Sequence, residues 1–139
     1  MSGERDAMAK SLYERVQEAV AFIRERSAMR PQVGLVLGSG LGAVSESLAD
    51  VVALEYAGIP NFPAPTIAGH PGRLLLGRLT TTTVAVLQGR IHYYEGYSME
   101  EVTFPIRVLG ALGVRHIVLT NAAGGINPRF HPGSLMLIA

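Results

Sequence analysis

The chain has 139 residues, 48% hydrophobic and 17% charged, so it holds enough apolar material for one folded domain and too little charge for a disordered chain. The absence of cysteine excludes a disulfide framework, a thiolate zinc site and a thiol nucleophile. A net charge of +1 argues against nucleic-acid binding, and no apolar run approaches the about 20 residues that cross a membrane. The amino terminus lacks the apolar stretch of a signal peptide, so we expect a cytoplasmic protein.

The acidic residues are unevenly distributed along the chain. Residues 1–55 carry eight of the eleven carboxylates, and the acids after this range are Glu95, Glu100 and Glu101. Residues 56–139 also contain six arginines. A glycine-rich segment with several arginines and few carboxylates is what a binding site for a small anion requires.

The hydrophobic pattern predicts strands that alternate with helices, which indicates an α/β layer fold with an at least partly parallel sheet. Residues 58–72 contain four prolines and are expected to form a loop. Ser98 and Glu101 have the spacing of a capping box, and Pro105 should bend or delay the helix that they open. In chain order, we expect an amphipathic helix ended by Pro31, strands at 33–37 and 51–56 separated by a short helical stretch, a strand pair at 74–79 and 84–87, a helix from 98 to about 112, and strands at 115–120 and 135–138.

Three loops that follow predicted strands are rich in glycine and polar residues: 38–42, 88–97 and 121–127. Ligands of such sheets bind at the carboxyl ends of the strands, so these loops should converge on one site. The first, GSGLG, can close backbone N–H groups and the Ser39 hydroxyl on an anion, or be a plain tight turn. A dinucleotide site with Glu55 as the ribose acid is a further alternative, although the third glycine comes one position early for that motif.

The segment QGRIHYYEGY at 88–97 is the densest in polar and aromatic groups. If the preceding strand continues to Arg90, then Arg90 and His92 share one side, which places a guanidinium and an imidazole together to hold phosphate. Tyr94, on the same parity, can offer a ring face and a hydroxyl to a sugar. Glu95 either orients His92 or is a surface acid. This density in a glycine-flanked loop favours a functional site.

Two further segments are candidates for binding an anion. His70, in GHPGR, either belongs to a lid over the anion or lies in an ordinary turn. Asn121–Gly125 either offers open backbone N–H groups to phosphate or ribose or is a turn at a strand end. The sequence has no HExxH motif, no close carboxylate cluster and no Ser-His-Asp order, which argues against hydrolysis and metal catalysis.

Six blocks, in this order and spacing, resemble the trimeric-type purine nucleoside phosphorylases: VLGSGLG, IPNFP, GHPGRL, QGRIHYYEGY, EEVTFPIRVLGALGV and TNAAGGINP. The resemblance runs from about Gln32 to the last residue. It implies a three-layer, phosphorylase/hydrolase-like α/β fold with a mixed, partly parallel central sheet. The methylthioadenosine phosphorylases share this architecture but differ in the QGR and NAAGG blocks, so they are the alternative within the family.

The resemblance also implies a reaction in purine salvage and a role for each matching residue. Orthophosphate is the co-substrate and attacks the anomeric carbon of a purine ribonucleoside or deoxyribonucleoside, such as inosine or guanosine. The products are the free base and the sugar 1-phosphate, no metal or organic cofactor is needed, and the full-length enzyme is a homotrimer. The phosphate-binding positions of the family are matched by Ser39, Arg90, His92 and the backbone at Ala122, and its phosphate-loop position is matched by His70. Tyr94 matches a ribose contact, and Glu95 matches a position that supports His92. The resemblance therefore makes His92 and Glu95 the candidate catalytic residues.

Family members continue for about as much chain again, and that second half holds a Glu and an Asn that bind the base and a His near the ribose. We therefore expect residues 1–139 to be the amino-terminal portion of a single phosphorylase domain, with a leading helix in 1–30 and a phosphate- and ribose-binding half in 31–139. Residues 134–139 look like the beginning of a strand, which also suggests a truncated sheet and a fragment. Such a fragment can bind phosphate or a sugar phosphate without turnover.

Overall fold

A computed structural model describes residues 10–64 and 72–139 of the protein. The loop prediction for 58–72 therefore lies partly outside the described residues. The leading helix ends at Arg26, where Ser27 is already extended, so the predicted end at Pro31 is wrong. In chain order the elements are α1 (Leu12–Arg26), β1 (Val33–Leu37), α2 (Ala43–Glu46), β2 (Ala49–Glu55), β3 (Arg73–Leu79), β4 (Thr82–Gln88), α3 (Met99–Leu112) and β5 (His116–Leu119), with 3₁₀ turns at Tyr56–Gly58 and Tyr93–Glu95.

The five strands form one mixed sheet in the order β2-β3-β4-β1-β5. The pairings of β1 with β4 and of β1 with the edge strand β5 are parallel. The pairings of β2 with β3 and of β3 with β4 are antiparallel, and Leu79 and Thr82 close the second of these as a tight hairpin. The predicted α/β fold with a mixed, partly parallel sheet is confirmed.

Helices cover both faces of the sheet, which produces three layers. On one face, buried residues of α1 and α3, such as Ile23 and Phe104, pack against alternate sheet residues such as Leu74 and Leu76. The neighbouring parity, represented by Leu75, forms a smaller core on the other face beside α2. This alternation is the two-residue period of strands that are covered on both sides.

The helix α3 begins where its capping box predicts. The Ser98 backbone N–H donates to Glu101 Oε2 at 2.8 Å, and the Ser98 hydroxyl accepts from the Glu101 N–H at 3.3 Å. The helix begins at Met99, because the Ser98 side chain accepts a backbone N–H of its first turn, and it continues through the buried Pro105. The predicted delay of the helix is therefore wrong. No helix in the described parts of the chain is long and apolar enough to cross a membrane.

The strand predicted at 135–138 is wrong. The structure describes these residues as irregular, and Leu135 and Leu137 are 97% and 91% exposed. An apolar run becomes a strand only when another strand pairs with its backbone and other side chains cover its own. The described part of the chain provides neither for these residues.

Candidate functional site

The three glycine-rich loops begin at one edge of the sheet, as predicted. Because β1 pairs in parallel with both β4 and β5, with Leu37 opposite Gln88 and Val36 opposite Leu119, the loops that follow these strands leave the sheet side by side. This edge is the carboxyl end of the parallel strands, where α/β sheets place their ligands.

The loop after β1 is joined to the end of β5 by Thr120. The Gly38 backbone N–H donates to Thr120 Oγ1 at 2.8 Å, and this hydroxyl donates to the Val36 carbonyl, also at 2.8 Å. A Cβ at Gly38 would lie 2.7 Å from the Thr120 carbonyl oxygen, so only glycine fits between the two chains. Ser39, the residue that follows, is exposed at the mouth of this loop.

The same loop is held from the opposite side by β4. Gln88 Nε2 donates to Ser45 Oγ at 3.1 Å, and the Ser45 hydroxyl donates to the Gly42 carbonyl at the start of α2. The loop at 38–42 is therefore tied to both strands that flank β1.

Arg90 crosses towards β5 and contacts its end. Its Nη1 donates to the Thr120 carbonyl oxygen at 2.8 Å, and the side chain is half-buried. A guanidinium has five N–H donors, so one such contact can orient the group while others serve a ligand. The predicted sharing of a strand face by Arg90 and His92 is wrong, since β4 ends at Gln88 and Gly89 turns the backbone at a φ of +96°.

His92, Tyr94 and Glu95 form a compact group after the turn at Gly89. The rings of His92 and Tyr94 are stacked, with centroids 4.7 Å apart and planes inclined by 11°. Glu95 Oε1 accepts the His92 backbone N–H at 2.8 Å, so this carboxylate fixes the main chain that carries the imidazole. Tyr94 is 77% exposed, which leaves the ring accessible to a ligand.

Tyr56 contacts the turn at Gly89 from the buried core. Its hydroxyl donates to the Gly89 carbonyl at 2.8 Å, and burial raises the pKa of Tyr56, so the phenol keeps its proton. The ring borders a mainly apolar cavity of about 230 Å³ between α3 and the carboxyl edge of the sheet. Residues that line this cavity include Val36, Leu87, Arg90, Val102, Ile106 and Leu119.

The predicted site residues differ in what the structure describes of them. Arg90, His92, Tyr94 and Glu95 lie in the loop after β4, and Ser39 in the loop after β1. Ala122 is exposed in the glycine-rich stretch after β5, and His70 lies outside the described residues. Among residues 10–64 and 72–139, no group of three or more His, Asp or Glu side chains is placed to hold a metal ion.

Sequence reasoning missed Thr120, Gln88 and Tyr56 as part of this edge. A signal was present for two of them: Gln88 and Thr120 are the polar residues that directly follow the apolar runs of β4 and β5. For Tyr56 no comparable signal exists, because its contact with Gly89 joins residues 33 positions apart.

The dinucleotide alternative does not fit the topology. A dinucleotide-binding unit returns from its first strand through a helix to a parallel neighbour. Here α2 has only four residues, and the next strand, β2, lies at the far edge of the sheet and pairs antiparallel with β3.

The fold and the site define a three-layer α/β protein with a glycine-rich cluster of loops at the carboxyl edge of a mixed sheet. The sequence model of the phosphorylase superfamily matches residues 32–139. The chain therefore belongs to the phosphorylase superfamily.

Relatives within this superfamily agree with the predicted resemblance. The chain is 50% identical over 124 residues to purine nucleoside phosphorylase 1 of Geobacillus stearothermophilus, covering 89% of this chain and 45% of that protein. Among solved structures, isoform 2 of purine nucleoside phosphorylase from Schistosoma mansoni, in complex with cytosine and ribose-1-phosphate, superposes with a TM-score of 0.79 at 44% identity, over 84% of this chain and 41% of that one. A Schistosoma mansoni purine nucleoside phosphorylase in complex with inosine gives 0.78 at 39% identity, over 85% and 41%. The chain thus spans less than half the length of each of these proteins.

Proposed function

We propose that this chain is the phosphate- and ribose-binding part of a purine nucleoside phosphorylase. The observation that carries the proposal is that Arg90 and the Gly38 loop both contact Thr120 at the carboxyl edge of the sheet. Similar solved proteins are in complex with ribose-1-phosphate and with inosine. A cation and a glycine-rich loop held side by side are suited to grip a phosphate.

In the proposed reaction, orthophosphate is both the nucleophile and the countercharge. The orthophosphate is held so that one of its oxygens faces the anomeric carbon. The groups that hold it are Ser39, His70, Arg90, His92 and the backbone at Ala122. This oxygen forms the new C–O bond as the bond to the purine nitrogen breaks and its electron pair leaves with the base. The sugar becomes cationic in the transition state, and the fixed phosphate charge stabilises it.

The group formed by His92, Tyr94 and Glu95 supplies the sugar side of the site in this proposal. Tyr94 packs its exposed ring against the ribose, and its stacking on His92 couples the ribose position to the phosphate position. Glu95 keeps the His92 main chain in place through its 2.8 Å contact. Orthophosphate is the co-substrate, and the proposal includes no metal ion or organic cofactor.

The test is phosphate-dependent release of hypoxanthine from inosine by the whole protein. We expect release that requires phosphate and that falls by at least about a hundredfold in Arg90→Ala, because a charged donor to the nucleophile is lost. Arg107→Ala is the matched control, since Arg107 is an exposed arginine of α3. Binding of phosphate without release of base would leave only a phosphate-binding protein, and preference for methylthioadenosine over inosine would favour the alternative phosphorylase.

We further propose that the whole protein is a cytoplasmic homotrimer whose amino-terminal half corresponds to residues 1–139. The homotrimer follows from the resemblance to the trimeric-type enzymes. Sedimentation equilibrium tests the homotrimer, since it distinguishes a mass of three chains from a mass of one. Cell fractionation tests the cytoplasmic location.

A further inference from the structure

We propose that Thr120 is a positioning residue that sets the phosphate-binding loop and Arg90 in register with each other. The inference rests on the proposed function, because it concerns the same phosphate site. Thr120 is the first residue after β5, and through its backbone and its side chain it contacts both other partners of the site.

The contacts of Thr120 occur where the parallel ladder ends. Its backbone N–H still donates to the Val36 carbonyl at 3.1 Å, as in a strand. Gly38 lies two residues after Val36 and just past the end of β1, and its N–H donates to the Thr120 hydroxyl at 2.8 Å instead of to a strand backbone. A hydroxyl can accept one bond while it donates another, and here the donated bond goes to the Val36 carbonyl at 2.8 Å.

The backbone carbonyl of the same residue holds Arg90. The guanidinium donates to this carbonyl at 2.8 Å. The side chain of Thr120 therefore contacts Gly38 and its carbonyl contacts Arg90, the two parts of the proposed phosphate site. A shift of Thr120 would therefore move the Gly38 peptide, and with it Ser39, relative to the guanidinium. Displacements of this kind weaken binding even when each contact to the ligand survives.

The experiment compares Thr120→Val with Thr120→Ser in the whole protein. Valine keeps the shape but removes the hydroxyl, so the partly buried Gly38 N–H loses its acceptor, whereas serine keeps the hydroxyl. We expect Thr120→Val to raise the KM for phosphate about tenfold, equivalent to about 1.4 kcal/mol, with the KM for inosine changed less than about twofold. Thr120→Ser should restore the phosphate KM, and Thr83→Val, a half-buried threonine at the opposite end of β4, should leave both values unchanged.

A second measurement is independent of turnover. Amide hydrogen exchange at Gly38 should be faster in Thr120→Val than in the wild type and Thr120→Ser, because the N–H has lost its hydrogen bond. If Thr120→Val does not fold, Thr120→Ala replaces it, since it also lacks the hydroxyl and has a smaller side chain.

An unchanged phosphate KM or unchanged Gly38 exchange in the variant without the hydroxyl would overturn the inference and leave the proposed function standing. An equal rise in the KM for phosphate and for inosine would also overturn it, because a general loss of structure affects both. Absence of phosphorolysis in the wild type would overturn the proposed function, and the inference with it.

Discussion

Gly38 shows how little space the site leaves for a side chain. The position a Cβ would take lies 2.7 Å from the Thr120 carbonyl oxygen and 2.9 Å from Asn121 Cα. Both of these atoms belong to the backbone, so neither can rotate away as the end of a flexible side chain would. The close approach of the loops after β1 and β5 therefore depends on the missing side chain.

We expect Gly38→Ala to lower the free energy of unfolding by about 1–3 kcal/mol, because the added methyl group forces the two loops apart. Urea unfolding of the wild type and the variant measures this difference. Gly42→Ala is the matched control: a Cβ there meets nothing within 4 Å, and Gly42 has helical φ and ψ of −54° and −32°. An equal loss in both variants would contradict the steric explanation.

Tyr56 supports the site from the core, so its substitution separates support from direct contact. Tyr56→Phe removes the donor to the Gly89 carbonyl and should cost about 1 kcal/mol at pH 7. Since burial raises the pKa of Tyr56, its stabilising contribution is complete below the unfolded tyrosine pKa of about 10 and is lost as the pH rises above it. The difference between wild type and Tyr56→Phe should therefore narrow at alkaline pH.

Urea unfolding at pH 7 and at about pH 10.5 tests both parts of this expectation. Tyr13→Phe is the control because Tyr13 is 72% exposed, and it should behave as the wild type at both pH values. A constant difference between wild type and Tyr56→Phe across this range would show that the phenol does not titrate differently in the folded state.

Among the elements, α3 has the clearest link between a local signal and stability. Hydrogen bonds from the Ser98 side chain and backbone lower the pKa of Glu101 at the first turn of this helix. A carboxyl group with a lowered pKa stabilises the fold above its unfolded pKa of about 4.3, and this contribution disappears as the pH falls through the folded value.

We expect Glu101→Gln to lower the melting temperature at pH 7, and we expect this difference to shrink towards about pH 3 as the wild-type carboxyl takes up a proton. Thermal unfolding followed by circular dichroism across this range provides the measurement. Glu25→Gln serves as the control, since Glu25 is exposed on α1 and pairs at 3.4 Å with its neighbour Arg26. A melting difference as large at about pH 3 as at pH 7 would contradict the role of the ionised carboxylate.

The elements also show where sequence reasoning succeeds. The bounds of β1 were predicted correctly, and those of β3, β4 and β5 to within one or two residues, because apolar runs and their turns are local properties of the chain. The strand at 135–138 failed, since pairing depends on a partner that the pattern cannot show. In the site, the convergence of the loops followed from parallel pairing, whereas the bonds of Thr120 and Tyr56 depend on residues distant in sequence.

For the whole molecule, the main question is whether residues 1–139 assemble the phosphate site by themselves. The described core is continuous from α1 through the sheet to α3, with residues such as Ala19, Val108 and Leu109 fully buried. In contrast, Leu119 of the outermost strand β5 is 68% exposed. A core of this kind favours a cooperative fold, and the exposed edge lowers its stability.

We expect residues 1–139 to melt cooperatively and at a higher temperature with phosphate than with chloride at equal ionic strength. Phosphate at a hundred times its Kd should add about 2.7 kcal/mol to the free energy of unfolding. Differential scanning calorimetry of the wild type and Arg90→Ala measures this, and the variant should lose the difference between the two salts. Equal melting temperatures for the wild type in both salts would contradict assembly of the site by this part of the chain.

The bond between Gly38 and Thr120 has a consequence for the order in which the molecule assembles. It joins residues 82 positions apart, whereas the β3–β4 hairpin closes over two residues, so the hairpin can form long before the two ends of this bond meet. The phosphate edge should then be absent from the folding transition state. Removing the Thr120 hydroxyl would accelerate unfolding and leave the folding rate almost unchanged, a φ-value near zero. The part of the molecule that we assign to chemistry would thus be the last to form and the first to open.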